Sequence, residues 1–185
     1  MMIEGWKILK VDLASGKVER DVLEAESLQR FIGGRGLGAA VLAPYAVEGV
    51  DPLDGSVPLI LATGPLTGAG IPSGDRFSLS TISPLTGTVM DTNSGGRLGR
   101  SLRRAGIDLV VVEGTSPSPA ILVVDDGEVR LEPASDLWGC TVSETLTRLK
   151  ERLSETAGMS VIGPAGENGV RYASIMTERM RAMGR

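Results

Sequence analysis

The stretch GDRFSLSTISPLTGTVMDTNSGGRLGRSLRRAG, residues 74–106, decides how the chain is read. Residues 76–82 alternate as a strand, and Ser83-Pro84-Leu85-Thr86-Gly87 turns it. Asp91-Thr92-Asn93-Ser94-Gly95-Gly96 then leads into a helical pattern over 95–104. A polar, glycine-containing turn that opens a helix leaves backbone N–H groups without intrahelical partners. Such an end suits an anion, above all a phosphate. Arg76 would add a charged fork from the neighbouring strand. The stretch therefore points to a phosphate-bearing ligand between a strand end and a helix N-terminus, set against the plainer reading of an ordinary turn. In the expected helix Leu98 and Leu102 face inward. Arg97, Arg100, Arg103 and Arg104 read as a solvated face, since the macrodipole favours arginine near a helix C-terminus, rather than as an anion or partner surface.

Upstream, residues 6–13 form a strand with imperfect alternation, explained by a bulge or by burial of both faces. Ala14-Ser15-Gly16 turns it into a second strand at 17–20. A helix is expected over 24–32, capped by Gly33 and Gly34 and followed by a short helix over 37–42 that Pro44 ends. Gly33-Gly34-Arg35-Gly36 lacks the Lys-Ser/Thr of a Walker loop and the full dinucleotide pattern, although Arg35 remains within reach of a ligand. Residues 58–62 are a short buried strand. The long loop 63–70 follows and feeds the strand carrying Arg76, a placement typical of functional loops.

Downstream, residues 108–113 (DLVVVE) are a continuous apolar run suited to a central strand. Strands over 120–124 and 128–131 flank Asp125-Asp126-Gly127, a hairpin turn that needs no metal. Residues 141–153 form an amphipathic helix, with Thr141 and Glu144 in a capping-box spacing and Glu144 and Arg148 as an i,i+4 pair. Strands are expected over 159–162 and 172–176 around the turn 163–169. The tail 177–185 is polar and basic and reads as a cut inside a functional loop. These elements compose one α+β, β-rich domain over residues 1–185 with a few short helices and much of its sheet built from hairpins.

Composition narrows the chemistry. With 185 residues, 42% of them hydrophobic, the chain can bury a core, which only 3% aromatics leave to aliphatic side chains. A net charge of −4 and a pI of about 5.0 argue against nucleic acid as a partner. There is no histidine, the commonest acid/base group and metal ligand. The single Cys140 can close no intramolecular disulfide and hold no iron–sulfur cluster, and without histidine it lacks an activating base. A lone thiol fits a reducing compartment, and no stretch resembles a signal peptide or a membrane span, so a soluble, cytoplasmic chain without a membrane partner is expected.

Taken together, WKILKVDLASGKV, FIGGRGLGAAVL, VDPLDG, LATGPLTG, GDRFSLSTISPLTG, DTNSGG, AGIDLVVVEG, ASDLWG, IGPAGENGVRYASIM and RAMGR occur in an order and spacing that cover nearly the whole chain. In this combination the sequence resembles the N-terminal domain of the tungsten-containing aldehyde ferredoxin oxidoreductases. The resemblance implies two sheets in a pseudo-twofold arrangement. It also implies a bis-pterin cofactor whose dithiolene sulfurs hold tungsten, or molybdenum in some relatives, with magnesium bridging the pterin phosphates. Asn93 matches the position whose side chain reaches the magnesium, and Ala182 the one offering a backbone carbonyl. Arg76, Gly95, Arg181, Gly184 and Arg185 match positions that touch the pterins or their phosphates. No catalytic residue is assigned, because the family's acid/base residues and 4Fe-4S cysteines belong to later domains.

The resemblance further implies oxidation of an aldehyde to a carboxylic acid with ferredoxin as electron acceptor, in a complete enzyme that includes C-terminal domains or a second subunit; a homodimer is left open. Alone, the chain is expected to be inactive. Two alternatives stand beside this reading: a pterin- or phosphate-binding subunit without catalysis of its own, and a family member that reduces an activated aromatic acid. The sequence departs from the family at Met183, where a small residue is usual, and at Arg97 and Arg104, where aromatic or apolar residues are.

Overall fold

In the computed structural model, residues 5–24, 26 and 30–183 are described. Six strands build the main sheet: β1 (Trp6–Asp12), β2 (Lys17–Leu23), β3 (Leu59–Thr63), β4 (Phe77–Ile82), β5 (Val89–Ser94) and β6 (Leu109–Glu113). Their order is β2-β1-β6-β3-β4-β5, so the apolar run 109–113 is central, as expected. It pairs parallel with β1 and antiparallel with β3. The expected α+β, β-rich class holds. The remaining strands form two small ribbons: β7 (Ala120–Asp125) with β8 (Glu128–Pro133), and β9 (Ser160–Val161) with β10 (Met176–Thr177). They are accompanied by the helices α1 (Gly34–Leu42), α2 (Leu98–Arg104), α3 (Val142–Arg152) and the single turn α4 (Pro164–Glu167), and by a short 3-10 turn at Ala43–Tyr45.

Both faces of the main sheet are covered. On one, Trp6, Ile8, Ile60, Ala62, Leu109 and Val111 pack against Leu37 and Leu42 of α1. On the other, Leu9, Val11 and Val110 meet Leu102 of α2 and the inward residues of the β7–β8 hairpin. This settles the imperfect pattern of β1. Its pairing with β2 and β6 runs without interruption, so no bulge exists; both faces are simply buried. A third cluster joins Leu146 and Leu149 of α3 to Ala134, Leu137 and Met159. A fourth packs Met183 against Phe77 and Leu79 of β4, so the tail returns to the main sheet. The large side chain at Met183 is buried there at 7% exposure and fills a place a small residue would leave open.

Local chemistry explains the turns and caps. Asp126 and Gly127 both have positive φ, 43° and 89°, which a tight two-residue hairpin turn requires. The capping box at α3 is formed in both directions between Thr141 and Glu144. Arg148 does not pair with Glu144 at close range; it donates to the Asp136 carbonyl at 2.6 Å.

Three expectations are corrected. Asp91 to Ser94 are not a turn opening a helix but the end of β5, each paired with a residue of β4. The expected helix over 95–104 accordingly starts only at Leu98. Ladder hydrogen bonds and cross-strand pairing outweigh the local turn preference of Asp, Asn and Ser. The late strands are shorter than expected, and the turn 163–169 contains the helical turn α4. Of the helix expected over 24–32, residues 25 and 27–29 lie outside the described residues, and 26, 30 and 31 are helical.

Candidate functional site

The register of β4 and β5 sets Ser78 opposite Asn93 and Ser80 opposite Asp91, all on one face of the sheet. Helix α1 crosses this face closely. A Cβ at Gly38 would lie 2.4 Å from the Ser80 hydroxyl, and one at Gly34 3.3 Å from that of Ser78. The approach brings Arg35 onto Asp91, whose Oδ2 accepts from Arg35 Nε at 2.7 Å. The other Asp91 oxygen accepts from Asn93 Nδ2 at 3.2 Å, and Asn93 Oδ1 accepts from Ser78 Oγ at 2.8 Å. A carboxylate only accepts, so Asp91 fixes the amide with its NH2 towards Asp91 and Oδ1 towards Ser78. One lone pair of Oδ1 remains.

The loop between β3 and β4 forms the opposite wall. Thr67 Oγ1 accepts from the Gly64 N–H and donates to the Arg76 carbonyl at 2.7 Å. Asp75 accepts from the Gly68 N–H at 3.1 Å and pairs with Arg100 of α2. The Arg100 guanidinium, ahead of the Gly68 N–H, holds the Asp75 carboxyl below its ordinary range. Between loop, helix and strands lies an open pocket of about 410 Å³, lined by Gly34, Arg35, Thr67, Arg76, Ser78 and Asn93 among others. Arg76 is exposed there, and its guanidinium has no hydrogen-bond or ion-pair partner among the described residues. Asn93 and Arg76, both expected from the sequence to serve one ligand, line one pocket.

Gly95, Arg181 and Ala182 form a second group at the end of β5. The Thr177 N–H donates to the Arg181 carbonyl at 3.0 Å, and Ala182 bridges Met176. The resulting tight turn, with Met180 at φ 56°, projects Arg181 over Gly95. The nearest atom to a Cβ placed on Gly95 is Arg181 Nη1, at 3.8 Å. Gly184 and Arg185 lie outside the described residues.

One detail of the sequence reading is overturned. The N-terminus of α2 is not wholly open, because the Arg97 N–H at its start is already engaged. Glu178, only 8% exposed, accepts from the Arg97 N–H at 2.7 Å and supplies the negative charge there itself. The α2 arginines are mostly engaged. Arg100 pairs with Asp75, Arg103 with Asp108, and Arg97 donates to the Glu155 carbonyl. Sequence reasoning missed Ser78, Asp91 and Glu178. The signal for the first two was present in the polar parity of Ser78 and Ser80 and the i,i+2 spacing of Asp91 and Asn93. Glu178 left none, because its partner is 81 residues away in sequence.

Among the described residues no three His, Cys, Asp or Glu side chains converge as metal ligands. The donors that do converge are guanidinium, amide, hydroxyl and backbone, which suit phosphate and a hard cation. The model for "Aldehyde ferredoxin oxidoreductase, N-terminal domain" matches residues 8–185. The chain belongs to this family. The aldehyde ferredoxin oxidoreductase relatives include the tungsten-containing enzyme of Pyrococcus horikoshii, 41% identical over 97% of this chain and 30% of the relative. That of Pyrococcus furiosus is 39% identical over 100% of this chain and 31% of the relative. An aliphatic sulfonate oxidoreductase, WOR-like subunit, of Pyrococcus furiosus is 36% identical over 96% and 31%. Among solved structures, the active-site complex BamBC of benzoyl coenzyme A reductase with 1,5-dienoyl-CoA matches at a TM-score of 0.88 and 33% identity. The match covers 92% of this chain and 26% of that one. The chain thus spans less than a third of the length of the relatives it matches.

Proposed function

We propose that this aldehyde ferredoxin oxidoreductase N-terminal domain is the floor of a tungsten, or molybdenum, bis-pterin site, and that its pocket holds the phosphate end of the cofactor. The observation that carries this is Arg76, a guanidinium without a partner among the described residues, in an open pocket beside the fixed amide of Asn93. When bound, the cofactor supplies two-electron redox chemistry at a dithiolene-held metal. The residues of this chain do the holding. Arg76 and Arg181 offset phosphate charge with forked N–H donors. Asn93 Oδ1 keeps a lone pair for magnesium, and the Ala182 carbonyl offers a second oxygen. Gly95 leaves space over which Arg181 reaches.

In the complete enzyme the domain would serve oxidation of an aldehyde to a carboxylic acid, with electrons leaving through a 4Fe-4S cluster in other domains to ferredoxin. This chain alone would not turn over aldehyde. A second reading, reduction of an activated aromatic acid, is favoured by the match to a benzoyl coenzyme A reductase complex. Both readings use the same floor. The test is a 31P NMR titration of the chain with magnesium pyrophosphate, a small stand-in for the phosphates. Loss of one charge-assisted contact in Arg76→Ala should weaken binding by at least about tenfold. Equal binding by wild type and variant, or no binding by either, would contradict the reading.

A further inference from the structure

Three segments distant in sequence meet at the start of α2. The Gly95–Arg97 turn arrives from β5, Gly158 and Met159 enter β9, and the 177–183 arm carries Arg181. Their backbones touch: a Cβ at Gly158 would lie 2.3 Å from Leu98 Cα. The Glu178 side chain lies at this junction. Its Oε1 accepts from the Arg97 N–H at 2.7 Å and its Oε2 from the Met159 N–H at 3.4 Å, while its own N–H donates to the Met159 carbonyl at 3.2 Å. It is more than nine-tenths buried and, among the described residues, makes no ion pair. Gly96, at φ 128°, allows the approach, because a Cβ there would stand 2.8 Å from Glu178 Oε1. A buried carboxylate is retained only where donors hold it, and here the donors come from the two pieces of chain it must join.

We infer that Glu178 is a positioning residue: by binding the backbone at the α2 N-terminus, it fixes the arm that places Arg181 over Gly95 and thereby closes the second half of the phosphate cradle. The inference rests on the cradle reading above. Glu178 does not touch the ligand. It replaces a ligand anion at the helix end and leaves phosphate recognition to Arg76 and Arg181. Its effect on binding is therefore transmitted through Arg181 and should vanish when Arg181 is already gone.

Two readouts on the full chain test this. The first needs no ligand: trypsin cleavage at the Arg179–Met180 and Arg181–Ala182 bonds, followed by mass spectrometry. Glu178→Ala should be cut there about tenfold faster than wild type, with cleavage after Arg20 and Arg130 unchanged. Glu178→Gln, which keeps an oxygen for the Arg97 N–H, should restore protection to within about threefold. The second is a double-mutant cycle on magnesium pyrophosphate affinity. Glu178→Ala and Arg181→Ala should each weaken binding, and the double variant should bind no worse than Arg181→Ala alone. Should Glu178→Ala not fold, Gly96→Ala, which pushes a methyl into the carboxylate, carries both readouts with the same expected result. Unchanged cleavage at the arm, or additive losses in the cycle, overturns the inference. Failure of wild type to bind pyrophosphate overturns the cradle reading and with it the purpose assigned to Glu178, while the cleavage result still decides whether Glu178 fixes the arm.

Discussion

Gly158→Ala perturbs the junction between the two halves of the site without touching a proposed ligand contact. The glycine does not occupy the left-handed region, so alanine suits its backbone. The obstacle is space. The added Cβ would lie 2.3 Å from Leu98 Cα, 2.4 Å from Leu98 N and 2.7 Å from Arg97 C. That is about 1.2 Å short of the ~3.5 Å at which carbon atoms rest together. All three neighbours are backbone, so no rotamer change relieves the clash, and β9 and α2 must move apart. Overpacking of this kind costs about 1–3 kcal/mol, and a rigid backbone contact belongs at the upper end. Loss of unfolded-state freedom returns about 0.7 kcal/mol. The net of about 2 kcal/mol corresponds to a Tm lower by about 4–8 °C for a chain of this size. Thermal unfolding followed by far-UV circular dichroism measures it, and trypsin cleavage after Arg181 should accelerate in parallel. Gly16→Ala is the control. It has φ 72° with nothing within 4 Å and lies in the β1–β2 turn, so it should lower Tm through strain alone and leave the arm protected. A Gly158→Ala protein that melts within about 2 °C of wild type, with an unchanged cleavage pattern, would refute the close-packed junction.

Further outcomes are expected. Leu37→Ala, at a side chain 1% exposed beneath α1, should cost about 3 kcal/mol and be read from urea midpoints at constant slope. Thr141→Ala removes the hydroxyl that accepts from the Glu144 N–H in the α3 capping box, leaves the backbone N–H of residue 141 to donate to Glu144, and should cost about 1 kcal/mol by the same assay. Asp75 has a lowered folded-state pKa, first through Arg100. Its contribution is therefore complete above the ordinary aspartate pKa and is lost as pH falls from there through the lowered one. Acid titration of Asp75→Asn should show a weaker dependence of stability on pH in that window than wild type, and equal slopes would contradict the assignment.

Much of this was legible because the signals were local. The Asp126-Gly127 hairpin, the Thr141 cap and the apolar central strand each follow from a few adjacent residues, and all are present. The grouping of Arg76 with Asn93 was also anticipated, although the geometry that joins them was misread. Residues 91–96 carry turn-forming side chains, and only the register with β4 makes the first four of them a strand. Their cross-strand partners, not their propensities, decide their conformation. Likewise, α2 looked like a free anion site because its own sequence holds no acidic cap. The cap is Glu178, supplied from across the domain. Such contacts depend on how the two halves dock, which no window of sequence around residue 97 contains.

The central claim is that the pocket beside Arg76 and Asn93 holds the phosphate end of a metal-bearing pterin. The most direct measurement is the tungsten, molybdenum, phosphorus and pterin content of the protein purified from cells that make the cofactor, compared with an Arg76→Ala/Asn93→Ala variant of equal folded fraction. The account predicts that metal and pterin accompany the wild type in fixed proportion and fall at least about tenfold in the variant, as expected from loss of a charge-assisted contact. Pterin retained undiminished by the double variant would place the cofactor elsewhere and contradict the account.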